Sequence, residues 1–357
     1  MMTTSQGSNF EDPTEIITTT PIDIIDQTTG NSMTSSSSRG AHHLYYECAV
    51  VGLVVGFVGA ALNGLVVYGM IASKQHKKQV LIFNQNLLDF SGCCFLFTTH
   101  AVKLCIISLS GSRGTHGYWL CVLILSEALH LGPLHGSFIN LAAVTIERYL
   151  RVVHHVWAKK NLRKWMIYSL VIFTWIGGNA FAWGWTVPTT DVVDGVCYTL
   201  VLWKSRAAQM AFSIWYFVTF YVGLFLIFIL CYGRILIVIR RQAKVMSSHD
   251  GSSTAQTQSN KTQAKIVKTM IIVSMLYIVL WTPSYLHNFL MNISSSTVLE
   301  DDGVTLSMLC IGFLYNCANP LIYVINLDPV KRVLLRLIPC NKNTQPVEGI
   351  GINRLGC

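Results

Sequence analysis

The run YECAVVGLVVGFVGAALNGLVVYGMI, from Tyr46 to Ile71, decides the fold class. Its one charge is Glu47, at the N-terminal edge. At about 1.5 Å rise per residue, these 26 positions make a helix about 39 Å long, enough to cross a hydrocarbon core of about 30 Å with some tilt. A helix of a water-soluble core rarely runs so far without a polar face. Six more windows of the same character follow, at about 81–107, 119–152, 165–187, 207–240, 264–291 and 303–326. The expectation is an all-α membrane protein: a seven-transmembrane helix bundle, with the two chain ends on opposite sides.

Composition agrees. Of 357 residues, 52% are hydrophobic and only 12% charged, with 16 Phe, 14 Tyr and 9 Trp. A soluble domain carries about 25% charged residues, so this chain has too few to cover a surface in water. The net charge of +9 does not indicate a nucleic-acid partner, because such proteins are rich in charge and this one is poor. The segments joining helices 1–2, 3–4 and 5–6, with their helix ends, and the C-terminal tail hold 21 of the 26 Lys and Arg. The opposite side keeps Arg39, Lys103, Arg113, Lys204 and Arg206, together with twelve of the 17 acidic residues. The positive-inside rule then sets the N-terminus outside and the C-terminus in the cytoplasm of a multi-pass plasma-membrane protein.

The flanks read as follows. Residues 1–44, rich in Ser and Thr, form a disordered extracellular tail. They lack a basic start followed by an apolar run, so no cleavable signal is expected. The bundle covers 45–327, with a polar cytoplasmic loop at 242–262. Residues 328–340 form a short amphipathic helix: Val330, Val333, Leu334, Leu337 and Ile338 share one face, and Lys331, Arg332 and Arg336 another. Such a helix lies on membrane lipid and stops at Pro339, and Cys340 beside it is a candidate for palmitoylation. Residues 341–357 are a cytoplasmic tail. Asn292, in an outer Asn-Ile-Ser sequon, is a candidate for glycosylation, whereas Asn260 falls on the inner side.

Polar groups inside apolar helices need partners, because hydrocarbon offers none. Asp89 lies mid-helix 2, and Asn63, Ser137, Asn316 and Asn319 fall at similar depth. Two readings stay open: a hydrogen-bond network that glues helices, and an ion site. Helix 3 ends in Glu147-Arg148-Tyr149, where Glu147 offers Arg148 a local ion pair. Pro283, after Trp281, and Pro320, after Asn319, are expected to kink helices 6 and 7. Cys121 and Cys197 both fall on the oxidising side and form the natural disulfide pair. With no metal cluster, phosphate loop or paired carboxylates within a helix turn, the chain does not read as an enzyme.

Taken together, residues 46–340 resemble the rhodopsin-like (class A) G-protein-coupled receptors. The resemblance rests on Asn63, Asp89, Glu147-Arg148-Tyr149, Trp175, Trp281 with Pro283, Asn319-Pro320-x-x-Tyr323, and the Cys121–Cys197 pair. It implies that Arg148 engages a heterotrimeric G protein when helix 6 swings outward, with Tyr232 and Tyr323 steadying the open form. It implies an allosteric sodium ion at Asp89, Ser137, Asn316 and Asn319, and no other cofactor. Trp281, with Pro283 and Tyr277, would form the switch beneath the ligand cavity.

Four departures stand out. Helix 5 has no proline, and Leu224 stands where the family usually has one. Tyr277 replaces the usual Phe, and Leu280 the usual Cys. Cys121 and Arg148 are 27 positions apart, two more than usual, and the extra residues are expected near Gly132-Pro133.

The ligand is unassigned. The cavity stretch of helix 3, Ser126 to His130, has no Asp for an amine, and helix 7 has no Lys for retinal. Glu127, His130, Trp281 and His287 are the candidate pocket residues. Acidic outer loops, with Asp191, Asp194 and Glu300 to Asp302, suit a basic peptide. The alternatives are a proton-sensing receptor using His100, His116, His130 and His287, or a seven-helix transporter or channel, for which inverted repeats are lacking.

Overall fold

The computed structural model describes residues 35–108, 115–193, 196–199, 203–247, 254–293, 302–326 and 328–336. Among them, seven helices are long and apolar enough to cross a membrane: α1 (Tyr46–Ala72), α2 (Val80–Cys105), α3 (Gly117–Val153), α4 (Lys164–Thr189), α5 (Arg206–Gln242), α6 (Gln263–Ile293) and α7 (Val304–Asn326). A short α8 (Asp328–Leu335) follows. Val330 of α8 is buried and seats against Gly69 of α1, while Lys331, Arg332 and Leu335 stay exposed. A short helix, His155–Asn161, joins α3 to α4. A hairpin of β1 (Asp191–Val193) and β2 (Val196–Tyr198) joins α4 to α5, with Val192 opposite Cys197.

Three boundaries differ from expectation. The helix containing α1 begins at Ser35, inside the expected tail. The helices containing α5 and α6 extend to Ser247 and back to Thr254, shortening the expected 242–262 loop. Adding a residue to a formed helix costs little, and between Thr254 and Ile293 the sole helix breaker is Pro283. The chain leaves α8 in a turn at Arg336, so its later residues and Cys340 lie outside the described residues.

α3 runs through the centre of the bundle and buries most of its length. Its two extra residues are absorbed upstream of the expected place. Cys121–Leu125 forms a π-turn, which holds one more residue per turn than an α-helix. Glu127 then takes a left-handed conformation, φ 61°, before a regular helix runs from Ala128 to Val153 straight through Pro133. Pro133 lies in the second turn of that helix, where its missing N–H leaves the Leu129 carbonyl without its i+4 donor. The π-turn carries the disulfide from Cys121 to Cys197, tying α3 to the hairpin.

α5 also holds a π-turn, Phe217–Gly223, immediately before Leu224. α6 continues through Pro283. α7 is interrupted at Leu314, ahead of Pro320. Phe138, Leu141, Phe228, Tyr232, Tyr277, Trp281 and Tyr323 meet in one apolar core between α3, α5, α6 and α7.

Candidate functional site

At the disulfide end of the bundle lies a cavity of about 470 Å³, within the range of small-molecule sites. Trp281 lines it, resting on Phe138 with ring centroids 5.4 Å apart. The six-membered edge of that indole lies against Gly312, where an added Cβ would stand 3.0 Å from the ring. The glycine is what lets α7 approach so closely. The indole N–H groups of Trp281 and Trp185, both cavity residues, have no hydrogen-bond partner among the described residues.

Glu127 also lines the cavity, but it is engaged: Lys103 Nζ stands 2.5 Å from its carboxylate and His100 Nε2 3.9 Å from it. His287 shares a 2.8 Å hydrogen bond with Thr305, joining α6 to α7 at the cavity wall. His130 corrects an expectation. It is fully buried behind the cavity wall, with Nδ1 donating to the Gly92 carbonyl of α2 at 2.9 Å, and it lines no part of the cavity. The helix is regular from Ala128 to Val153, so His130 falls on the same face as Ser137, which also turns toward α2. Asn292 also reads differently. It lines the cavity, donates to the Asn288 carbonyl at 2.7 Å and accepts from Gln209 at 2.7 Å, so a glycan on its amide nitrogen would stand at the cavity wall. The side chain of His116 lies outside the described residues.

Below Trp281 the polar residues form one network. Asp89 accepts from Ser137 Oγ at 2.6 Å and from Asn319 Nδ2 at 3.1 Å. Gln85 Nε2 reaches both carboxylate oxygens, at 3.3 and 3.4 Å, and also contacts Ser137 Oγ. Asn140 donates to Gln85 Oε1 at 2.7 Å, Asn84 donates to Asn140 Oδ1 at 2.9 Å, and Trp175 donates to Asn84 Oδ1 at 2.9 Å. The chain of bonds therefore runs from α7 to α4. Asn63 and Asn316 stand apart from Asp89: Asn63 Nδ2 donates to the Gly59 and Asn316 carbonyls, each at 2.9 Å. Gln85 went unassigned in the sequence, although its i, i+4 spacing to Asp89 on a helix was visible. Asn319 Oδ1 is buried and unpartnered. That oxygen, the Asp89 carboxylate and Ser137 Oγ make a donor set that suits a small hard cation, provided Gln85 Nε2 yields its place.

At the opposite end, Arg148 is 4% exposed. Its Nε lies 2.9 Å from Glu147 Oε2, and a terminal nitrogen bonds the Gln79 side chain. Glu147 also pairs with Arg151. Tyr149 points away, with its hydroxyl 3.1 Å from His154. Tyr232 shares hydrogen bonds with Thr145 at 2.8 Å and Ser274 at 3.1 Å, tying α5 to α3 and α6. Tyr323 is buried, and its hydroxyl has no partner among the described residues. Lys265 of α6 pairs with Asp328 of α8 at 2.6 Å.

Comparison with known proteins agrees with this architecture. A model of the seven-transmembrane receptor (rhodopsin) family matches residues 62–323. Somatostatin receptor type 3 of Mus musculus is 25% identical over 324 residues, covering 87% of this chain and 72% of that receptor. Trace amine-associated receptor 2 of Rattus norvegicus is 25% identical, covering 82% and 85%. Melanopsin-A of Danio rerio is 24% identical, covering 68% of this chain and 41% of its own. The chain is therefore a multi-pass plasma-membrane receptor and not an enzyme, and it belongs to the rhodopsin family of seven-transmembrane receptors.

Proposed function

We propose that the receptor stands with its N-terminus outside, binds an extracellular peptide in the cavity above Trp281, and activates a heterotrimeric G protein when α6 moves outward. The observation that carries this reading is the enclosure of Arg148. A guanidinium held by Glu147 and Gln79 offers nothing to a partner until the helices around it rearrange. A ligand drives that change only by binding the open form better than the closed one.

Several features support a peptide. The one cavity carboxylate among the described residues, Glu127, is already paired with Lys103, which disfavours a simple amine. Retinal attachment needs a lysine in α7, and Val304–Asn326 has none. The unpartnered indole N–H groups of Trp185 and Trp281 ask for acceptors, which peptide carbonyls supply in number. Asp191, exposed on the hairpin, would favour a basic one. Asp194 and Glu300 to Asp301 lie outside the described residues.

A sodium ion held by Asp89, Ser137 and Asn319 would supply positive charge to a buried carboxylate, and its retention favours the closed packing around it. On the cytoplasmic side, Lys331 and Arg332 of α8 face anionic lipid, while Val330 grips α1.

Purified in lipid nanodiscs, the receptor is expected to accelerate nucleotide exchange on at least one Gα subtype. Glu147→Gln, which removes the charge facing Arg148, should raise the ligand-free rate several-fold. No acceleration by either protein across a panel of Gα subtypes sinks the reading.

A further inference from the structure

Two of the departures from the family pattern meet at one atom. α5 lacks proline yet forms the π-turn Phe217–Gly223, and Tyr277 of α6 reaches into that turn. Its hydroxyl lies 2.6 Å from the Phe220 carbonyl oxygen and 3.1 Å from the Tyr285 hydroxyl. A tyrosine has one proton to give and a carbonyl can only accept. Tyr277 therefore gives its proton to the nearer Phe220 carbonyl, with the Tyr285 hydroxyl beside it as a competing acceptor. The ring of Tyr277 is fully buried, edge-on to Phe138 at 4.8 Å and near Tyr315 at 5.9 Å. Tyr285 lines the ligand cavity one level above.

We propose that the Tyr277 hydroxyl is a positioning group that bolts α6 to the π-turn of α5 and holds the receptor closed. The inference rests on the proposed outward movement of α6, and it assigns a restraint to that movement. A phenylalanine at this position would fill the same space without the bolt. When α6 pulls away from α5, the hydroxyl and any share of the Phe220 carbonyl it satisfied are left in a dry core, where unmade hydrogen bonds are costly. The closed form therefore gains what the open form loses. Tyr285 gives the ligand access to the bolt. A ligand that moves the Tyr285 hydroxyl closer to Tyr277 draws the shared proton off the Phe220 carbonyl and loosens the bolt.

The test separates this restraint from the G-protein assignment. Tyr277→Phe keeps the ring and its packing, so folding should be near normal; a melting curve checks that. Spin labels on Lys78→Cys and Lys268→Cys, both exposed at the Arg148 end, read the α2–α6 distance without any G protein. With no ligand present, Tyr277→Phe is expected to raise the long-distance population about three- to tenfold, the ratio expected for one buried hydrogen bond. Ligand-free nucleotide exchange should rise by a similar factor. Unchanged distances and exchange in Tyr277→Phe, while Glu147→Gln raises exchange, overturn the proposal. A shifted distance distribution with no exchange on any Gα subtype upholds the bolt and removes the G-protein reading instead.

Discussion

Gly178→Val is expected to abolish surface display of the receptor, whereas Gly184→Val on the same helix leaves it unchanged. The two glycines sit in opposite surroundings. A Cβ at Gly178 would stand 2.4 Å from the Gly136 nitrogen, 2.6 Å from the Gly136 Cα and 2.6 Å from the Gly132 carbonyl oxygen. All three atoms are backbone of α3, so no side chain can swing aside. A Cβ at Gly184 would meet nothing within 4 Å. Close approach of small residues is a principal means of helix association in lipid, where no hydrophobic effect pulls helices together.

Even one methyl group would force α3 and α4 apart. Overpacking a close-packed site typically costs about 1–3 kcal/mol, and valine adds two more methyl groups. Separation would also stretch bonds that depend on the fit. Asn84 donates to Thr174 at 3.0 Å and accepts from Trp175 at 2.9 Å, and Trp183 donates to the Ala128 carbonyl at 3.1 Å. Gly178→Ala should thus fold with a lowered melting temperature, and Gly178→Val should be retained inside the cell. Normal display of Gly178→Val would show that α3 and α4 can part without loss.

How much of this was legible from the sequence depends on the range of the interaction. Hydrophobic length is a local property, so the seven crossings could be read from Tyr46 to Asn326 directly. Residues that act by type and depth were also legible: Asp89 with Ser137 and Asn319, Glu147 beside Arg148, and Cys121 with Cys197 do meet. The misses came from backbone irregularity and from partners far along the chain. The extra residues of α3, expected near Gly132-Pro133, are taken up by the π-turn at Cys121–Leu125 and the left-handed Glu127, so His130 lies on regular helix and shares the Ser137 face toward α2. Gln79 sits beside the basic turn before α2, and nothing local marks it as the second holder of Arg148. The tie between Tyr277 and Phe220 spans 57 positions and joins two departures that looked unrelated in the sequence.

Asp89 allows the two readings of the polar core to be told apart by a pair of substitutions. Asp89→Ala is expected to destabilise the bundle strongly, because it strands Ser137, Asn319 and Gln85, all of which donate to the carboxylate. Each buried donor left unsatisfied costs about 1–3 kcal/mol, less where water enters the space. Asp89→Asn behaves differently. Its oxygen still accepts, and its new N–H₂ group can find acceptors. The Ser137 hydroxyl can rotate to accept, and the Asn319 amide can turn its unpartnered oxygen inward. Asp89→Asn should therefore melt near the parent temperature in a potassium medium. Sodium separates the readings further. A ligand that binds the folded state stabilises it by RT ln(1 + [L]/Kd), so replacing potassium with sodium at constant ionic strength should raise the parent's melting temperature. In Asp89→Asn that rise should vanish, since a neutral amide has no charge to offer the ion. Gln85→Leu should enlarge it, because the amide nitrogen no longer competes for the carboxylate oxygens. An equal sodium response in the parent and Asp89→Asn would leave Asp89 as structural glue between α2, α3 and α7.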